Sequence, residues 1–178
     1  IMVVGYALKD QIQTGFRSLW YVGFALLLWS GVMYAIDQTA KLNRHRESTN
    51  WKDTLFIGIV QCLALIPGVS RSGATMSAGL FRGFDRVTVT KLSFFLSIPA
   101  LLAAGAYESV TKYKDISDGV GWAPTIVATI VSFFVAYAAV AWLLRYIAHH
   151  NLTIFVVYRI VLGLLIIGLL SFGVVSAT

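Results

Sequence analysis

Nine consecutive residues hold most of the chemistry this sequence could do: Pro67-Gly68-Val69-Ser70-Arg71-Ser72-Gly73-Ala74-Thr75. Proline and glycine end an incoming helix and turn the chain. Ser70 or Ser72 can cap the outgoing helix. The first amides of that helix have no intrahelical partner, and together with the helix dipole they make an anion site. Arg71 adds a permanent charge on a planar fork that suits phosphate oxygens. Ser70, Ser72 and Thr75 offer three hydroxyls. The chemistry implied is capture of a phosphate or diphosphate. The plainer alternative is that Arg71 snorkels to a surface or pairs with a carboxylate. Where this segment sits decides between them.

Its surroundings are apolar. Of 178 residues 58% are hydrophobic and only 12% charged, against about 25% charged in average globular chains. Too little polar surface remains to cover a soluble globule, which excludes disorder, a disulfide scaffold and a soluble nucleic-acid binder. The net charge of +6 does not point to nucleic acid, because the basic residues lie between long apolar runs and so report topology. The lone cysteine, Cys62, permits no internal disulfide and sits in an apolar run, so it reads as a buried thiol. The chain is predicted to be an all-α integral membrane protein, a polytopic helical bundle in the phospholipid bilayer, forming one membrane domain over 1–178.

Spans are predicted at 19–36, 92–106, 122–144 and 154–175, with Pro99 kinking the second. The run 55–66 is different. Its twelve residues make about 18 Å of helix, enough to reach the middle of the bilayer. Non-helical backbone at that depth must line an enclosed, wet cavity. So 55–81 is either a broken crossing or a re-entrant hairpin. Charges decide. Apart from Arg71 and Arg159, a hairpin puts eight Lys/Arg on one side (Lys41, Arg44, Arg46, Lys52, Arg82, Arg86, Lys91, Arg145) and four on the other (Lys9, Arg17, Lys112, Lys114). A crossing splits them six and six. Positive-inside topology needs the asymmetry, so the hairpin is predicted, with loop 37–54 cytoplasmic and 107–121 outside. Residues 1–8 read as the tail of an apolar helix, which makes the chain the C-terminal portion of a longer protein.

The stretch Gly58-Ile59-Val60-Gln61, then Leu65-Ile66-Pro67-Gly68-Val69-Ser70-Arg71-Ser72-Gly73-Ala74-Thr75, resembles the second signature of bacterial undecaprenyl-diphosphate phosphatases, the bacitracin-resistance protein family. The segment 92–100 (LSFFLSIPA) and Tyr158-Arg159-Ile160 resemble it too, so the likeness covers essentially the whole chain. It implies hydrolysis of undecaprenyl diphosphate to undecaprenyl phosphate and phosphate, recycling the peptidoglycan lipid carrier. The polyprenyl diphosphate lipid is then the partner, in the bacterial cytoplasmic membrane, with the site facing outward and a homo-oligomer allowed. The implied fold is an inverted repeat with two re-entrant hairpins, of which this chain carries rather more than half. By resemblance Arg71, Ser70 and Ser72 are catalytic, and Gly68, Ser70, Arg71, Ser72, Gly73, Thr75 and Gln61 bind substrate. A divalent cation (Mg or Ca) is implied as cofactor, with no ligands in this chain. The family's glutamate-rich first signature is absent from this sequence. Gln61 and Leu65 stand at the repeat-equivalent places of its glutamates, so this chain alone is predicted inactive. The competing function is a lipid-phosphate flippase using the same clamp. The histidine-dependent membrane lipid phosphatases are rejected, since no histidine lies between His45 and His149.

The remaining polar residues receive plainer readings. Arg159, inside the last span, is assigned to packing rather than substrate. Asp85 is expected to pair with Arg82 or Arg86. The Arg44-His45-Arg46 loop is read as an anchor that meets anionic lipid. His149-His150 is not read as a metal site. Gly79 and Gly83 are read as tight packing of the hairpin helix.

Overall fold

The computed structural model describes residues 18–177. The apolar tail at 1–8, and Lys9 and Arg17 of the charge count, lie outside the described residues. Six principal helices follow in order: α1 Leu19–Thr39, α2 Trp51–Gln61, α3 Arg71–Phe81, α4 Arg86–Thr111, α5 Trp122–His149 and α6 Thr153–Ser171. Among the described residues no strand occurs beyond a single bridge between Arg44 and Phe84. Helices α1, α4, α5 and α6 are long and apolar enough to cross a membrane.

Helix α1 starts at Ser18, whose side chain accepts the Trp20 N–H. It buries Gly23, Leu26, Ser30, Met33 and Asp37, spaced three and four apart along one stripe. That stripe lies along α6, antiparallel to it: the Leu19 amide donates to Ala177 at one end, and the Leu152 amide donates to Asp37 at the other. Two glycines set the spacing. A methyl on Gly23 would sit 2.8 Å from Ile167, and one on Gly163 would sit 2.9 Å from Leu27. Small residues here bring the two backbones together, the usual currency of helix association in lipid.

Helices α2 and α3 have eleven residues each, about 16 Å or half the bilayer core. Asn50 and Asp53 form a reciprocal capping box that begins α2 at Trp51, four residues before its apolar run. A 3₁₀ turn, Cys62–Leu65, tightens its far end. Asp53, at the start of α2, meets Arg82, just beyond the end of α3, at 2.8 Å. The two helices therefore leave from one end of the bundle and return to it. Gly83 follows α3 with φ +84°, and a methyl on Gly79 would overlap Val89 of α4. Both glycines of that pair are thus explained by the hairpin itself.

Helix α4 is longer than its apolar core at 92–106. Asp85 caps it by accepting the Thr88 amide at 2.9 Å and hydroxyl at 2.7 Å, and the helix runs through Pro99 to Thr111. Helix α6 stops at Ser171 although apolar residues continue to Val175, because Gly173 takes φ +67° and its amide returns to Leu170. Met33, Met76, Leu80, Phe84, Val89, Ile147, Leu152 and Val156 form the core between the hairpin and the ends of α1, α5 and α6.

Candidate functional site

The turn between α2 and α3 forms the tip of the hairpin, where Val69 is buried, Pro67 and Gly68 are half-buried and Ser70 is exposed. Gly68 has φ +98°, and a methyl there would lie 2.6 Å from the Val22 carbonyl of α1. Only glycine fits so close to that helix. Ser70 also takes a positive φ, +73°, unusual for a residue with a side chain. It is the N-cap of α3: its Oγ accepts the Gly73 N–H at 3.2 Å. Of the two serines that could cap this helix, Ser70 does so. Such strain persists only where the surroundings impose it.

The imposing group comes from α6. Arg159 is 9% exposed, and its guanidinium donates to the carbonyls of Gly68 (2.7 Å) and Val69 (3.2 Å) and to Ser30 Oγ (3.2 Å). Ser30 in turn donates to the Leu26 carbonyl at 2.6 Å. One buried cation thus ties together α1, α6 and the two peptides that lead into the strained Ser70. Its packing assignment describes this position, and the carbonyls it serves were not visible in advance. The usable signal was a pair of polar residues, Ser30 and Arg159, each isolated within an apolar run.

Arg71 opens α3 and is half-buried. Among the described residues no hydrogen bond or ion pair reaches its guanidinium. Ser72 is half-buried beside it, and with Ser70, Gly73, Tyr158 and Arg159 it lines one part of a cavity of about 310 Å³. Met33, Met76, Leu143, Ile147, Leu152 and Phe155 make the apolar remainder, and Arg71 is not part of this wall. Gly73 leaves room for Trp29 and Met33 of α1. Thr75 is placed differently. It is buried, and its hydroxyl lies within hydrogen-bond distance of the Arg71 carbonyl (2.9 Å) and of Ser93 Oγ of α4 (2.7 Å), so it joins two helices. Gln61 is buried on the same face of α2 as Asp53 and Ile57. Ser70, Arg71, Ser72, Gly68 and Gly73 are brought together at the tip, while Thr75 and Gln61 lie in the packing around it.

The carboxylates lie at the hairpin's foot. Asp53 is fully buried and held by Arg44 (2.6 Å) and Arg82 (2.8 Å). Hydrogen bonding from Arg44, reinforced by Arg82 and the Asn50 amide, keeps its carboxyl far below the usual range. Asp37 accepts from Arg86 at 2.7 Å and from the Leu152 amide. Asp85 pairs with His45 at 3.0 Å and not with Arg82 or Arg86, because those arginines are taken by Asp53 and Asp37. Burial pushes Asp85 up, but Thr88 and His45 outweigh it and hold the carboxyl below its ordinary value. His150 stacks on Tyr146 at 4.3 Å. Cys62 is half-buried, its Sγ 3.6 Å from the Gly58 carbonyl.

A divalent cation does not fit these residues. Among the described residues no three His, Cys, Asp or Glu come together. The groups at the turn are N–H donors, hydroxyls and a guanidinium, which attract anions and repel metals.

Fold and site together define a polytopic helical membrane protein in which a half-length hairpin carries a helix N-terminus, two serines and an arginine with no partner among the described residues into the bundle. Sequence comparison supplies the family. A model of "Bacitracin resistance protein BacA" matches residues 1–165, and the chain belongs to that family. It is similar to undecaprenyl-diphosphatase 3 of Frankia casuarinae, with 63% identity over 178 residues, all of this chain and 64% of that protein. The undecaprenyl-diphosphatase of Cutibacterium acnes is 53% identical over 98% of this chain and 64% of its own length. Undecaprenyl-diphosphatase 1 of Streptomyces avermitilis is 51% identical over 99% and 63%. The chain therefore spans slightly under two thirds of the curated relatives it matches.

Proposed function

We propose that the full-length protein carrying this chain hydrolyses undecaprenyl diphosphate to undecaprenyl phosphate and phosphate in the bacterial cytoplasmic membrane. In a cell-wall-building bacterium this activity recycles the lipid carrier and confers bacitracin resistance. The observation that carries the reading is Arg71: a guanidinium with no partner among the described residues, at the first residue of a helix buried from Gly73 onward whose N-cap is Ser70. A cation held at that depth is costly unless something anionic or wet receives it. The relatives' names identify the anion class as a prenyl diphosphate.

In this reading the α3 amides and Arg71 stabilise charge on the transferring phosphoryl group, and Ser70 and Ser72 orient its oxygens. Arg159 holds the turn that aims them. Asp37, Asp53 and Asp85 are engaged at the hairpin's foot, so we assign nucleophile, base and any divalent cation to the part of the full-length protein that this chain does not span. This chain alone then binds a diphosphate without cleaving it. The site opens to the outer side, because the foot of the hairpin carries the eight-cation face.

The test is phosphate release from undecaprenyl diphosphate by the full-length protein in detergent. Wild type is expected to turn over, and Arg71→Ala to lose about 10²–10³ in kcat, the usual cost of one lost charge-stabilising donor. Wild type that binds the lipid through Arg71 but releases no phosphate would replace the hydrolase with a lipid-phosphate carrier.

A further inference from the structure

At the foot of the bundle, between the 3₁₀ turn Arg46–Ser48 and the first turns of α4, lies a second cavity of about 410 Å³. We propose that it binds the headgroup of an anionic phospholipid from the leaflet this end of the bundle meets. Arg46 and Lys91 both line it, both are exposed, and among the described residues neither side chain has a hydrogen-bond or ion-pair partner. The other arginines nearby are spent. Arg44 and Arg82 are bound by Asp53, and Arg86 by Asp37. Asp85, the nearest carboxylate of α4, is turned to His45. Glu47 is the one acidic side chain in the wall, which leaves two cations facing it and a surplus of positive charge.

The apolar part of the wall fixes the class of ligand. Leu92 and Phe95 follow Lys91 along α4, on the side where that helix enters the bilayer, and Phe95 is 59% exposed. Charge at the membrane surface with bare apolar side chains one turn deeper matches a phosphate joined to acyl chains. A free anion would need only the upper half. Basic pockets between helices at a membrane face recognise lipid headgroups in this way. The site is separate from the α2–α3 turn and does not depend on the hydrolase reading.

Native mass spectrometry of the full-length protein in detergent, with phosphatidylglycerol or phosphatidylcholine added, tests the assignment. Phosphatidylglycerol is expected to remain bound, and the Arg46→Gln/Lys91→Gln variant to bind it about thirtyfold more weakly, as expected for two surface cations. Lys41→Gln/Lys52→Gln removes the same charge from the same end outside this cavity and should change little. Phe95→Ser, which removes the apolar wall and adds no charge, should also lose the lipid, and it carries the test if the double variant does not fold. Equal retention of both lipids, or an equal loss in the Lys41/Lys52 control, overturns the site in favour of a diffuse surface charge. Full displacement by millimolar inorganic phosphate overturns the lipid and leaves a free-anion site.

Discussion

Ser70 does two separable things, and single substitutions tell them apart. Its side chain caps α3, and its backbone holds φ +73°. Ser70→Ala loses the cap and keeps the strain, and should destabilise by about 1 kcal/mol. Ser70→Gly relieves the backbone and should keep wild-type stability within a few tenths. If both variants lose phosphate release equally, the hydroxyl acts on the substrate; if Ser70→Gly retains it, capping was the whole role. Arg159→Lys keeps a charge but cannot serve two carbonyls and Ser30 at once. The melting midpoint should fall, since hydrogen bonds to a charged group contribute about 1.5–3 kcal/mol each. An unchanged midpoint and activity would remove Arg159 from the account. At this scale the motif residues were readable, because Pro-Gly, Ser and Arg each imply a local job. Thr75 shows the limit. A threonine can face a ligand or a neighbouring helix, and only the tertiary position of Ser93 decides that here.

The hairpin is anchored at its foot as firmly as at its tip. Asp53 ties the start of α2 to Arg44 and to Arg82 beyond α3, so the carboxylate closes the loop that presents the turn. Its folded pKa lies below the unfolded value of about 4. The stabilisation is thus complete above that value and is lost as pH falls toward the depressed pKa. Asp53→Asn should cost about 2 kcal/mol at neutral pH. The gap from wild type should close on acidification below pH about 4, followed by thermal unfolding in detergent. A gap that stays constant down to pH about 3 would mean the carboxylate's charge is not what matters. Half-length helices, a broken centre and the charge asymmetry made this hairpin readable from the chain. The exact ends were not. Hydropathy marks apolar residues and misses caps, so α2 begins four residues before its apolar run, at the Asn50–Asp53 box, and α6 ends at the Gly173 turn while apolar residues continue.

Across the described residues one end collects the cations and also one end of each of the six principal helices. Asp37 of α1 joins Arg86 of α4 and the Leu152 amide that opens α6, next to the Arg44–Asp53–Arg82 cluster. Placing this end in the cytoplasm predicts a labelling pattern. In a Cys62→Ser background, an impermeant maleimide should label Asp118→Cys in intact cells and Lys41→Cys only after lysis. The opposite pattern would invert the orientation. The Arg159 clasp has a further consequence for the order in which the protein is made. Gly68 lies 91 residues before Arg159, and Ser30 lies 129 before it. At about 5–20 residues per second, a ribosome leaves the turn without its clasp for roughly 5–20 s. During that interval the hairpin can insert, but the Gly68 and Val69 carbonyls lack their Arg159 donor. The turn is therefore clasped only by a helix made 91 residues later, so a chain terminated before Arg159 carries the motif without that clasp.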